Sequence, residues 1–187
     1  MTSGGRVGPL DPAALLAAIR EIPDFPAPGV LFRDISPLLA DPAALATVVE
    51  WLAAHADAGR IDKIVGIEAR GFILGAALAY RCGIGFVPVR KQGKLPGPTY
   101  STDYALEYGA AVLQVHQDAF AKGDRVLVVD DVLATGGTCA AAVRLVHLAG
   151  GVEVVGAAML LELAALGGRT AMAAAHPEVP VHALLSC

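Results

Sequence analysis

At 187 residues the chain is long enough for one domain with a sizeable core; 14 Lys and Arg against 18 Asp and Glu leave a net charge of −4 with no basic arm, which argues against nucleic acid as a partner. Much of its apolar fraction of 55% is alanine spread through periodic segments. It contains no run of about 18 uncharged apolar residues of the kind a membrane span needs. The densest stretch, Val154 to Leu166, is interrupted by Glu162, and the opening MTSGGRVGPLDP has no basic patch followed by an apolar core, so a cytoplasmic protein without membrane contact is expected.

In chain order, Asp11-Pro12 supplies a cap and a first-turn proline for a helix reaching about Glu21. Residues 22–39, IPDFPAPGVLFRDISPLL, hold four prolines and a glycine and are expected to form no regular element. Their large apolar groups, Phe25, Leu31, Phe32 and Ile35, suit a hood lying across a core or lining a pocket. Asp41-Pro42 starts a second helix to about Ala58. Alternation then predicts strands at Lys63 to Ile67, Gly85 to Val89, Ala111 to Val115, Val126 to Asp130, Val152 to Leu161 and Val181 to Leu185. Helices are predicted at Gly71 to Cys82 and Cys139 to Leu148. Between Val89 and Ala111 lies a glycine- and proline-rich polar segment, residues 91–109, long enough to act as a lid. The pattern is α/β: a single domain, 1–187, built on a doubly wound, mostly parallel sheet with helices on both faces.

Cys82, Cys139 and Cys187 are odd in number and widely spaced, and neither CxxC nor HExxH occurs, which argues against a disulfide framework or a zinc site. His55, His116, His147, His176 and His182 have no partners at metal-ligand spacing and are read as structural.

The chemistry concentrates in VLVVDDVLATGGT, residues 126–138. A buried strand that empties through small residues into a helix start directs free N–H groups and a positive dipole end toward an anion. Asp130 and Asp131 would repel a bare phosphate beside that cradle, so the pattern fits a phosphate joined to sugar hydroxyls or to a metal. The competing reading is an acidic turn with a glycine-rich helix cap. The segment is neither a P-loop nor a dinucleotide fingerprint. Ligands of such sheets collect beyond the carboxyl ends of the strands, which also selects Glu68 to Gly71 and the segment after Val89.

Residue for residue, the segment resembles the phosphoribosyl-pyrophosphate loop of type I phosphoribosyltransferases. FPAPGVLFRDISPLL at 25–39, GIEARGFILG at 66–75, RKQGKLPGPT at 90–99 and YALEYG at 104–109 resemble, in order, further blocks of the adenine phosphoribosyltransferase family. The resemblance implies the type I phosphoribosyltransferase fold, an N-terminal hood (about 22–40), a flexible catalytic loop (about 91–109), purine salvage chemistry with Mg2+, and a homodimer. It implies that Asp130 and Asp131 hold the ribose hydroxyls and, directly or through water, the magnesium. Ala134, Thr135, Gly136, Gly137 and Thr138 then hold the 5-phosphate. Arg70 and Lys94 serve the pyrophosphate, with Arg90 beside them or reaching a neighbouring subunit. Glu107 bonds the purine N7 while N9 attacks the sugar, with Tyr100, Tyr104 and Tyr108 positioning its loop. Phe32 stacks on adenine, Leu31 and Arg33 read its edge through backbone atoms, and Leu163 packs opposite. An unusual, strained peptide bond is implied between Glu68 and Ala69, where other members often carry Asp-Ser. The alternatives are an enzyme of the same class using xanthine or guanine, and a non-catalytic sensor of the sugar donor.

Overall fold

The computed structural model describes residues 10–105 and 110–187, apart from the side chains of 57–59, 105 and 110. The chain divides into two compact units, Met1–Trp51 and Leu52–Cys187.

In the N-terminal unit, helix α1 (Pro12–Ala17) starts where the sequence places it, with the Asp11 carboxylate accepting from the Ala14 N–H at 2.8 Å. It stops four residues short of Glu21, because Arg20–Pro23 instead forms strand β1, paired antiparallel with β2 (Leu31–Asp34). The expectation of no regular element over 22–39 is thus corrected: β2 lies within it and helix α2 (Ser36–Ala40) begins there. The prolines occupy places that tolerate them. Pro23 ends β1, Pro26 and Pro28 sit in the turn, and Pro37 falls in the first turn of α2. The turn closes through the Gly29 N–H to Asp24 Oδ1 at 2.7 Å and the Phe25 N–H to the Val30 carbonyl at 3.2 Å. Helix α3 (Pro42–Gly59) crosses the division between the units.

The second unit is built on a seven-stranded sheet. Its strands are β3 (Lys63–Ile67), β4 (Gly85–Lys91), β5 (Thr99–Ala105), β6 (Ala110–His116), β7 (Arg125–Leu133), β8 (Glu153–Glu162) and β9 (Val181–Ser186), in the order β5-β6-β4-β3-β7-β8-β9. The five strands from β4 to β9 run parallel, and the β5–β6 hairpin adds an antiparallel edge beside β4. β5 corrects the reading of 91–109 as one irregular lid: Thr99, Tyr100, Thr102 and Tyr104 are strand residues of high β-propensity paired with β6.

Side chains alternate across this sheet, which explains the β-branched runs. Val65, Ile67, Val87, Val89, Val126 and Val128 pack on one face with the buried residues of helix α5 (Gly137–Leu148). Helix α4 (Arg70–Cys82) covers the other face, its Gly75 lying against Ile64 and Gly66. After β8 a short 3-10 turn (Ala164–Leu166) leads to helix α6 (Gly168–Ala175) and then β9. Strong central pairing by five parallel strands places the ends of β3, β4, β7 and β8 along one edge of the sheet.

Candidate active site

β7 runs to Leu133 because its pairing with β8 continues as far as Leu133↔Glu162. Asp130 and Asp131 therefore belong to the end of the strand, where the sequence reading stopped it at Asp130. The chain then turns at Gly136, with φ of 85°, and enters α5 at Gly137. No side chain caps this helix, so its first N–H groups face outward without an intrahelical partner. Asp130, Ala134, Thr135, Gly136 and Thr138 come together around a hollow of about 70 Å3, with Val132, Leu133 and Cys139 completing its wall. Gly137 lies within the same turn.

Packing holds this loop in place from behind. A Cβ on Gly136 would come within 2.6 Å of the Gly168 carbonyl oxygen, and a Cβ on Gly168 would collide with the Ala134 carbonyl. The start of α6 is itself anchored: Arg169 donates to both Glu162 carboxylate oxygens, the shorter bond 2.6 Å, and to the Val181 carbonyl at 2.6 Å. Gly168 and Arg169 fall in a region the sequence left uninterpreted. Their only local signal is Glu162, a lone acid at the end of an apolar strand that demands a cation.

Asp131 is buried and forms an ion pair with Arg70, Nε to Oδ2 at 2.6 Å. That oxygen is sealed from solvent and receives no aligned hydrogen bond. The Asp131 backbone N–H donates to Asp130 Oδ1 at 2.9 Å. Burial, and then the charge of Asp131, push the Asp130 carboxyl well above the usual carboxylate range. Asp131 is also raised by burial, with Arg70 opposing the shift. Gly71, the second residue of α4, allows the helix start to approach; a Cβ there would stand 2.7 Å from Asp130 Oδ1.

The Glu68–Ala69 peptide is cis, at the bond the sequence singled out. Glu68 itself went unassigned as a side chain, yet it organises the end of β4. It accepts from Arg90 Nε at 3.2 Å and from the Lys91 backbone N–H at 3.0 Å. Burial raises its pKa, but the Lys91 N–H, Arg90 and Lys94 together outweigh burial and hold it below the ordinary value. Arg90 also donates to the Lys94 carbonyl at 3.1 Å. The Lys94 side chain is exposed. Gln114 of β6 ties down the connection, accepting from the Gly93 N–H at 2.9 Å and donating to Ser101 Oγ at 3.0 Å. A wider hollow of about 520 Å3, lined by Pro96, Gly97, Pro98, His116, Gln117 and Asp118, shares no residue with the cradle.

Leu163 begins the turn after β8 and donates its N–H to the Leu133 carbonyl at 2.9 Å, beside the cradle's own strand. Tyr104 is buried in the core cluster and Tyr100 packs against it. Arg144, another residue the sequence did not flag, runs from α5 to the Asp103 carbonyl at 3.1 Å and so fastens the cradle helix to β5. Leu31, Phe32 and Arg33 lie on β2 of the N-terminal unit, where the Phe32 ring meets Phe25 edge-on at 5.1 Å and Arg33 pairs with Glu21. Glu107 and Tyr108 lie outside the described residues.

Residues 34–174, which include this turn, the paired carboxylates and Arg70, match a family profile described as "Phosphoribosyl transferase domain". The chain belongs to the phosphoribosyltransferase family. It is 59% identical to an adenine phosphoribosyltransferase of Acidothermus cellulolyticus over 167 residues, 89% of this chain and 94% of that one. Among solved structures, it superposes on the adenine phosphoribosyltransferase of Rhodothermus marinus with a TM-score of 0.87 at 50% identity, covering 94% of this chain and 97% of the other. The Saccharomyces cerevisiae enzyme, complexed with D-2,5-dideoxy-2,5-imino-altritol 1,6-bisphosphate and adenine, gives 0.85 at 37% identity, with 92% and 97% covered. The chain is thus a pentosyl-transferring glycosyltransferase with the type I fold.

Proposed function

We propose that this site joins adenine to 5-phosphoribosyl 1-pyrophosphate, giving AMP and pyrophosphate in purine salvage. The observation that carries the reading is the hollow of about 70 Å3 at the start of α5, a helix with no side-chain cap, bordered by Asp130. The turn from Ala134 to Thr138 binds the 5-phosphate through backbone N–H groups and the Thr135 and Thr138 hydroxyls. Asp130 and Asp131 accept from the ribose hydroxyls. The bisphosphate and adenine named for the yeast relative are consistent with one subsite for a phosphorylated five-membered ring and another for the base.

In the reaction N9 of adenine forms a bond to the sugar C1, the C1–O bond to pyrophosphate breaks, and the N9 proton is released. Positive charge develops at C1 and negative charge on the leaving group. Arg70, Lys94 and Arg90 supply cations where that negative charge grows. Glu107 holds the purine N7 as N9 attacks. Phe32 stacks on the base, Leu31 and Arg33 read its edge through the backbone, Leu163 covers it, and Tyr108 steadies the loop.

The residues present suit magnesium. Asp130 and Asp131 offer hard oxygen donors, and Asp130 borders the hollow itself. When bound with the donor's diphosphate, Mg2+ neutralises charge that would otherwise oppose the two carboxylates. The enzyme is a cytoplasmic homodimer in this reading; among the described residues no helix is long and apolar enough to cross a membrane.

Pyrophosphate release with adenine, hypoxanthine, guanine and xanthine tests the assignment. Adenine alone is expected to support turnover, since an O6 acceptor would meet backbone acceptors at the edge-reading positions. Turnover with guanine or xanthine instead of adenine overturns it. Glu107→Gln is expected to lower kcat about 100-fold or more while leaving donor affinity within about twofold. A change confined to donor affinity would remove Glu107 from the chemistry.

A further inference from the structure

Outside the active site, the fold assembles a set of ligand-type side chains that sequence spacing conceals. His147 lies in the last turn of α5; His176 caps the end of α6, and Glu178 follows two residues later. One ligand atom from each falls within 4.8 Å of the other two. His147 and Glu178 are exposed and His176 is buried.

His176 has the geometry of an oriented ligand. Its Nε2 lies 3.2 Å from the Ala140 carbonyl oxygen, which can only accept, so Nε2 carries a proton and donates it there. In the neutral ring, Nδ1 then presents a lone pair, and it lies 3.4 Å from Glu178 Oε1. Either a proton on Nδ1 or a cation can join that lone pair to the carboxylate oxygen, and a second imidazole close by favours the cation. The His147 ring stands 5.6 Å from the His176 ring, centroid to centroid, and closes the third side. A backbone carbonyl fixing the far nitrogen is the usual support for a metal-bound imidazole.

We propose that His147, His176 and Glu178 form a binding site for a divalent cation of borderline softness, of the Zn2+ type, with water completing the shell. Two imidazoles and a carboxylate are a donor set such ions favour. Bonds of about 2.05 Å in a tetrahedron place ligand atoms about 3.3 Å apart, so the cluster must contract somewhat. The two exposed side chains can move while His176 stays anchored. The ion would clip the end of α5 to the connection between α6 and β9. Because α6 begins at Gly168, which backs the phosphate turn, the clip would stiffen that support from its far end.

The test is calorimetric titration of ZnCl2 into chelator-treated, full-length protein, repeated with His147→Ala and Glu178→Gln. Both variants alter exposed side chains, and unchanged transferase rates will show that they are folded. One equivalent is expected to bind the wild type, with affinity at least about tenfold weaker in each variant. Zn2+ should also raise the wild-type Tm and not that of the variants. The proposal is overturned if the wild type takes up no stoichiometric Zn2+. It is equally overturned if both variants retain full affinity, which would place the ion at Asp130 and Asp131 or at the adjacent rings of His55 and His182.

Discussion

In the function proposed above, the turn at the start of α5 and the cationic segment at the end of β4 serve the same anionic substrate by opposite means. The turn from Ala134 to Thr138 works through backbone groups, and its shape is set by carbonyls packed where no Cβ fits. The segment from Arg90 to Lys94 works through long side chains, and Arg90 is engaged by Glu68 and by the Lys94 carbonyl. One region is preorganised before any ligand arrives. The other must exchange internal partners for substrate oxygens as it engages. Disturbing the first should therefore be costly and steric, and disturbing the second mild and electrostatic.

The largest effect is expected from Gly136→Ala. Its φ of 85° disfavours a side chain, and the added methyl would lie 2.6 Å from the Gly168 carbonyl. We expect a loss of about 1–3 kcal/mol of stability. The donor KM should rise about tenfold or more, with the dependence on adenine nearly unchanged. Steady-state kinetics in both substrates and chemical denaturation check this. Wild-type donor affinity in the variant would show that the turn is not preorganised.

Asp130→Asn should separate function from stability in the same region. The folded pair holds its carboxyls above their unfolded pKa, chiefly through burial and, at Asp130, through mutual repulsion. Native protein thus keeps protons that the unfolded chain has released. Stability is greatest below the ordinary carboxylate pKa and declines as pH rises through the elevated one. The variant should lose donor and magnesium affinity, unfold at higher denaturant than wild type at pH 7, and show a flatter dependence of stability on pH. A variant less stable than wild type at neutral pH would mean that Asp130 contributes to the fold.

How much of this was readable beforehand follows the range of the interactions. Strands β3 and β7 and helix α4 are local patterns of apolar periodicity, and the sequence placed each close to its observed bounds. The motif from Val126 to Thr138 was equally local, so the turn and its two acids could be read directly. β1 and β2 were missed because four prolines signal irregularity, while only the pairing of residues 20–23 with 31–34 reveals that they sit where a hairpin permits them. Gly168 was missed for the same reason. Its importance lies in a contact with Ala134, 34 positions earlier, and no local feature announces it. Glu68 was noticed as a departure from the family's Asp-Ser but read only for its backbone; its carboxylate finds Arg90 through the parallel pairing of β3 with β4.

The smallest predicted effect tests the cationic segment. Glu68→Gln keeps size and one acceptor for the Lys91 N–H but removes the charge that pairs with Arg90. The Arg90 side chain is about a third exposed, and such a pair contributes about 0–1 kcal/mol. Stability should therefore change by less than about 1 kcal/mol. The gain should appear in binding: with Glu68 neutral, Arg90 exchanges partners more readily, and the donor KM is expected to fall about two- to fivefold, most clearly at low ionic strength. Salt should erase that difference between variant and wild type, because it weakens the internal pair and the substrate contact alike. A donor KM that rises, with no salt dependence, would mean that Glu68 serves to aim Arg90 at the pyrophosphate. The cationic segment would then be as preorganised as the turn.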